Sequence, residues 1–299
     1  MNWIIIASEK FEYQTQKLVN FLTNKSYVPS VYYVEEKSIN NLEQFFIDLH
    51  NVTHCVFVSD GTIPENPYLF YATGYLNGAN VPVFVTGKPQ TEDEKKLLQN
   101  FYFFDSCGDL ISHIESNFPE YIAQEELKKA HKKLFDMGIP FTPDCFSTYI
   151  AKAEEEVCNL FYEAGMSVDV RDAAGTPMLC IAARSGRKNM IEWLVDRGAE
   201  IDIISKDRGY SPVMDAVWKS STEIVELLIT LGADLNIVSN DGQTALIVAT
   251  GSSNLKICEL LVKNGADPNF KDRMGMSSLD YAKLFKKEIL IPLYEEYQK

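Results

Sequence analysis

The first 170 residues contain no arginine. Nucleic-acid binding rests on counterion release by clustered Lys and Arg. A chain with 28 Lys and Arg against 42 Asp and Glu, net charge −14, is not built for it. The negative charge reads as solubility rather than as a surface for a cationic partner. No run of residues approaches the ~18 consecutive apolar positions of a membrane-spanning helix. The start, "MNWIIIASEK", has no basic stretch ahead of its few apolar residues, so it reads as neither signal peptide nor membrane span. The six cysteines, at 55, 107, 145, 158, 180 and 258, form no CxxC and no metal-ligand spacing. Most lie in apolar runs, where cysteine behaves as a small buried hydrophobe. Together these absences lead us to expect a soluble cytoplasmic protein in a reducing compartment, with no membrane or nucleic-acid partner, no metal and no resident cofactor.

The 299 residues suffice for two domains at roughly 150 each, and the two halves are patterned differently. Residues 1–118 alternate strands and helices. "NWIIIAS", "VPSVYYV", "HCVFVSD", "VPVFVTG" and "NFYFFD" read as strands, separated by amphipathic stretches such as "YQTQKLVNFLTNK" and "NNLEQFFIDLHNV". Such alternation implies parallel strands joined by right-handed crossovers. The expectation is an α/β domain with a flavodoxin-like parallel sheet of about five strands, its ligand crevice beyond the carboxyl ends of the strands. Residues 119–141 read as a connector helix with Leu127, Leu134 and Met137 as apolar anchors and Gly138 as C-cap.

From residue 142 to 299 the chain repeats. "AGMSVDV", "RGAEIDI", "LGADLNI" and "NGADPNF" carry glycines at 165, 198, 232 and 265, and a second series falls at Gly175, Gly209, Gly242 and Gly275. Both series step by 33 or 34 residues. Between them lie "TPMLCIAARSG", "SPVMDAVWKSS", "TALIVATGSSN" and "SSLDYAK", followed by helices such as "EIVELLIT" and "KICELLVK". This half resembles the ankyrin repeat family in period, Gly-Ala turn and Thr-Pro-Leu-like helix start. One departure is Thr176-Pro177, which falls one position early. The first repeat is degenerate and the last ends irregularly, as terminal repeats do. The reading is an all-α solenoid of four repeats and a C-terminal cap. The resemblance implies a protein partner held on the concave face by hairpin tips and first helices. Carried onto this chain, those positions are Ala173, Ala174, Arg184 and Ser185; Asp207, Arg208, Tyr210, Trp218 and Lys219; Asn240, Asp241 and Gln243; and Arg273 with Met274. Trp218 is either a large exposed anchor of the kind that dominates binding hot spots, or a ring packed on Lys219 or the next repeat.

In the first half, "VFVSDGTIPENPYLFYATGYLNGANVPVFV" resembles the TIR-like NAD-cleaving domains and the nucleoside deoxyribosyltransferase-like fold. Asn66, Phe70, Tyr71, Gly74 and Tyr75 match, whereas Ala72 replaces the acidic residue both groups use at the sugar carbon. Cleaving an N-glycosidic bond builds oxocarbenium-like positive charge, which a carboxylate stabilises or captures. Alanine supplies neither charge nor hydrogen bond, and the missing arginines remove the usual bidentate phosphate clamp. The expectation is a domain that keeps the shape without the reaction. A nucleotide or NAD-like ligand remains open, held near Ser8, Gly61, Asn66 and Tyr71 by backbone amides and side chains. So does an N-glycosidic-bond hydrolase or transferase working through a displaced carboxylate, with Asp60 and Glu65 as candidates and Glu9 and Glu35 at the crevice edge.

Overall fold

The computed structural model describes residues 1–35, 38–60, 66–89, 95, 96, 98 and 100–297. The chain divides into two compact units, Met1–Glu125 and Glu126–Lys299.

In the first unit the apolar runs form strands β1 (Trp3–Ala7), β2 (Ser30–Glu35), β3 (Ser38–Ile39), β4 (His54–Val58), β5 (Val83–Thr86) and β6 (Tyr102–Phe104). Helices α1 (Glu12–Asn24), α2 (Leu42–Asn51) and α3 (Pro67–Gly78) alternate with them. All six strands join one sheet in the order β3-β2-β1-β4-β5-β6. β1 pairs parallel with β2 on one side and β4 on the other, and β5 and β6 continue in parallel. The five parallel strands therefore take the flavodoxin-like order, with its switch point between β1 and β4. The sixth strand is β3, which turns back antiparallel on the end of β2 through Val34↔Ile39 and Glu35↔Ser38. Two residues are too short for any periodicity to announce.

Every residue of β1 and β4 is buried, because helices cover both faces and side chains alternate between them. Ile4, Ile6, Cys55 and Phe57 pack with Phe45 and Leu49 of α2 and Leu69, Ala72 and Leu76 of α3. On the other face, Trp3, Ile5, Val56 and Phe84 pack with Leu18 and Leu22 of α1. Leu110, Ile114 and Phe118, from the start of helix α4 (Cys107–Asp136), complete that face. α4 continues through Pro119, and the division between the two units falls within it.

The second unit is built from helix pairs: α5 (Pro143–Lys152) with α6 (Glu155–Glu163), and α7 (Met178–Arg184) with α8 (Lys188–Asp196). Then come α9 (Pro212–Trp218) with α10 (Thr222–Thr230), α11 (Ala245–Ser252) with α12 (Leu255–Lys263), and α13 (Ser278–Leu284) with α14 (Leu290–Glu296). One apolar core runs through them, from Ala130 and Leu134 at the end of α4 to Tyr294. The 33–34-residue step has a local cause at the turns. At Asp172 and Asp272 a carboxylate oxygen accepts the backbone N–H four residues on, and Ser239 does the same through its hydroxyl. Ser205 Oγ accepts from Tyr210 N. Gly209 then takes a φ of +68°, and a Cβ there would lie 2.5 Å from the amide nitrogen of Asn240 in the next turn. The gap is used: Asn240 N donates to Arg208 O at 3.1 Å, as Lys206 N does to Gly175 O and Arg273 N to Asp241 O. Ser211, Thr244 and Ser277 cap the first helices with their hydroxyls. At α7 the early Thr176 leaves Pro177 in the cap position, with no side-chain cap. That is the structural result of the displaced Thr-Pro.

Candidate functional site

In the repeat unit the expected partner positions divide into two groups. The first is an ionic cluster around a residue that the sequence reading missed. Asp215, on the inner stripe of α9, is fully buried. Arg184 donates from Nε to its Oδ1 at 3.1 Å and from Nη2 to its Oδ2 at 3.2 Å, a bidentate clasp. Arg208 adds a third bond from Nη2 to Oδ1 at 3.2 Å. Asp207 takes Arg184 Nη2 on Oδ2 at 3.3 Å. The two aspartates are tuned in opposite directions. Burial pushes Asp215 above the usual carboxylate range despite both guanidinium groups. Burial also opposes the charge on Asp207. There, hydrogen bonds from Ser205 and the Arg208 amide, with both arginines close by, outweigh it and hold the carboxyl low. The signal for Asp215 was present, a lone acid in the apolar stretch "SPVMDAVW".

The second group forms a groove. Trp218, at the C-terminal end of α9, is 61% exposed. Its ring meets Tyr210 edge-on at 6.4 Å and lies 5.5 Å from the Arg208 guanidinium, which also covers Tyr210 at 4.7 Å. A groove of about 390 Å³ opens beside it, lined by Tyr210, Trp218, Gln243, Ile247, Val248, Gly251 and Ser252. Tyr210 forms the floor and is itself buried, while Lys219 is exposed next to Trp218. Asn240, Asp241, Arg273 and Met274 stand exposed on the turn tips, as do Ala173 and Ala174. Ala173 N donates to Asp144 Oδ1 at 2.7 Å, and Ser185 is the C-cap of α7. Arg184, Asp207 and Arg208 are therefore joined to one another, Tyr210, Trp218 and Gln243 line the groove, and Arg208 touches both sets.

In the α/β unit, Ala72 lies on the inward stripe of α3 with Leu69, Thr73 and Leu76, fully buried against the sheet. Asn66 is fully buried too. Its Oδ1 caps α3 by accepting from Tyr68 N and Leu69 N, while its Nδ2 donates to the carbonyls of Glu35 and Ser38. Tyr71 points outward, edge-on to Phe46 at 5.4 Å. At the carboxyl ends of β1 and β4, Ser8 is extended and half-buried, and Lys10 Nζ reaches Asp60 Oδ2 at 2.8 Å. Glu9 and Glu35 are exposed. Gly61 and Glu65 lie outside the described residues. Among the described residues no group of three His, Cys, Asp or Glu could hold a metal ion, and no helix is long and apolar enough to cross a membrane.

The family model for ankyrin repeats (3 copies) matches residues 148–239 and 213–297. An ankyrin repeat-containing protein of Treponema pallidum (strain Nichols) is 29% identical over 245 residues, covering 82% of this chain and 82% of that protein. That alignment is longer than the matched repeats, so it necessarily takes in much of the first unit as well. The B-cell lymphoma 3 protein homolog of Mus musculus is 34% identical over 86 residues, 29% of this chain and 19% of that protein. The BCL-6 corepressor-like protein 1 of Homo sapiens is 35% identical over 83 residues, 28% of this chain and 5% of that protein. The last two are thus matched over less than a fifth of their own length.

Proposed function

We propose that this chain, which belongs to the ankyrin repeat family through its second half, is a protein–protein interaction protein that holds its partner on the concave face of the repeats. The observation that carries the reading is the groove at Trp218. A large aromatic ring stands mostly in water beside an apolar wall of Ile247 and Val248, on a rigid helix end. Aromatic anchors in such pockets dominate binding energies, and truncating one weakens binding by ~30-fold or more. The ionic cluster below the groove serves as its frame. Arg208 is fixed by Asp215 and lies against both Tyr210 and Trp218, which limits the freedom the rings would lose on binding. In this reading Lys219, Gln243, Asn240, Asp241 and Arg273 form the polar rim.

The α/β unit is, in the same reading, a cytoplasmic non-cleaving relative of TIR-like and nucleoside deoxyribosyltransferase-like domains. Support comes from Ala72, which sits among core side chains where a carboxylate would be cut off from water. The test of the partner reading is affinity capture by the full chain, comparing wild type with Trp218→Ala and with Lys188→Ala, a substitution away from the groove. The expected result is a partner retained by wild type and Lys188→Ala and lost from Trp218→Ala. Equal capture by all three would sink the groove as the binding surface.

A further inference from the structure

We propose that the outer face of α3, with the adjoining side of α2, is a self-association surface that takes a second copy of this chain. No charged residue occurs between Glu65 and Lys88, although the chain as a whole is 23% charged. α3 lies within that stretch and is apolar on both sides. Leu69, Ala72, Thr73 and Leu76 face the sheet, while Pro67, Phe70, Tyr71, Gly74 and Gly78 face outward. A helix on the surface of a globular unit ordinarily places its charges on the outer face, and one that is apolar all round ordinarily has a cover there. Phe70 and Tyr71 are each 48% exposed. Tyr71 is held in place by Phe46 and by stacking with Tyr75 at 6.5 Å, so it is a preset projection rather than a loose side chain.

The second copy is favoured by shape and by charge. A Cβ added at Gly74 or at Gly78 would meet nothing within 4 Å, so the helix surface there is low and open. Two α3 helices crossing antiparallel about a two-fold axis between residues 72 and 73 bring each Tyr71 opposite the other's Gly74. The same axis sets each Pro67 opposite Gly78. Projection meets depression in both directions, the self-complementarity that an isologous contact requires. Small residues let such backbones approach closely. Two copies carrying −14 each repel, and α3 is a face on which they meet without opposing carboxylates. A charged partner would need ionic groups that α3 lacks.

Sedimentation of the full chain tests the proposal across the micromolar range, at low and at high salt. The expected mass rises from 33.9 kDa towards twice that value, and rises further in high salt, which screens the mutual repulsion. Phe70→Glu and Gly74→Lys should both remain monomeric. Gly74→Lys also separates loss of association from loss of fold. Its Cβ has open space and it replaces glycine inside a helix, so its melting temperature should not fall. Two results would overturn the proposal. One is a wild-type chain that stays at 33.9 kDa throughout, which would leave the face to a different protein. The other is a dimer that persists in Gly74→Lys, which would place the contact elsewhere.

Discussion

A carboxylate removed from water needs several compensating hydrogen bonds, and Asp215 accepts three from two guanidinium groups. The arginines keep about a third of their side-chain surface in water, whereas Asp215 keeps none. The asymmetry gives a directional prediction. Arg184→Ala removes the bidentate clasp and leaves a buried charge with one partner, and should cost about 3 kcal/mol. Asp215→Asn should cost less, because the released arginines can turn to solvent. Urea denaturation of the two variants decides the order, and a larger loss for Asp215→Asn would refute it. Ala72 supports a second prediction. Ala72→Glu would insert a carboxylate among Leu69, Leu76 and the sheet, where an unpaired charge is not tolerated without protonation or unfolding. The expected outcome is a melting temperature lowered by several degrees and no release of nicotinamide from NAD. Cleavage by a stable variant would instead mean that position 72 opens onto a working site.

Among the turns, glycine matters for two separable reasons. The four glycines of the second series, Gly175, Gly209, Gly242 and Gly275, have positive φ, but only three face a neighbouring turn. At Gly209, Gly175 and Gly242 an added Cβ would come within 2.5, 2.7 and 3.0 Å of the next turn, while at Gly275 it would meet nothing within 4 Å. Gly275→Ala should therefore cost only the left-handed backbone penalty, about 1 kcal/mol. Gly209→Ala should cost several times that and break the Asn240–Arg208 link. Equal destabilisation in a denaturant series would show that backbone conformation alone conserves the step. This contrast also shows what a sequence can and cannot reveal. The 33–34-residue step was legible because each turn demands the same unusual backbone, and the parallel strand order followed from strand–helix alternation. Strand β3 was not legible, since two residues carry no period. Nor was the ionic cluster, because its members lie on three elements, up to 31 residues apart. The ankyrin resemblance marked Arg184, Asp207 and Arg208 as surface positions, and only packing reveals the acid beneath them.

At the scale of the molecule, the carboxylates of the repeat unit set how it responds to acid. In the repeat unit three sit low. Asp207 and Asp272 are opposed by burial but held down by hydrogen bonds, to Asp272 from Tyr281 and the amides of Met276 and Met274, and Asp280 is held by the Ser277 amide and hydroxyl. A lowered carboxyl stabilises the fold above its unfolded pKa, and that contribution is lost as pH falls through the folded value. Asp215 has the opposite sign, since its raised pKa favours the fold at low pH and disfavours it as pH rises through the raised value. In the α/β unit Asp48 is lowered, burial being outweighed by hydrogen bonds from Ser30, Tyr32 and Gln44. Three lowered carboxyls against one raised predict that the repeat unit loses stability in acid. The three tryptophans separate the units, Trp3 in the first and Trp193 and Trp218 in the second. In a variant retaining Trp193 alone, the urea midpoint should fall between about pH 5 and pH 3, with a variant retaining Trp3 alone reporting the first unit beside it. A Trp193 midpoint that stays level across that range would mean that Asp215 and its arginines offset the other three. Coincident midpoints at every pH would mean that the two units unfold as one.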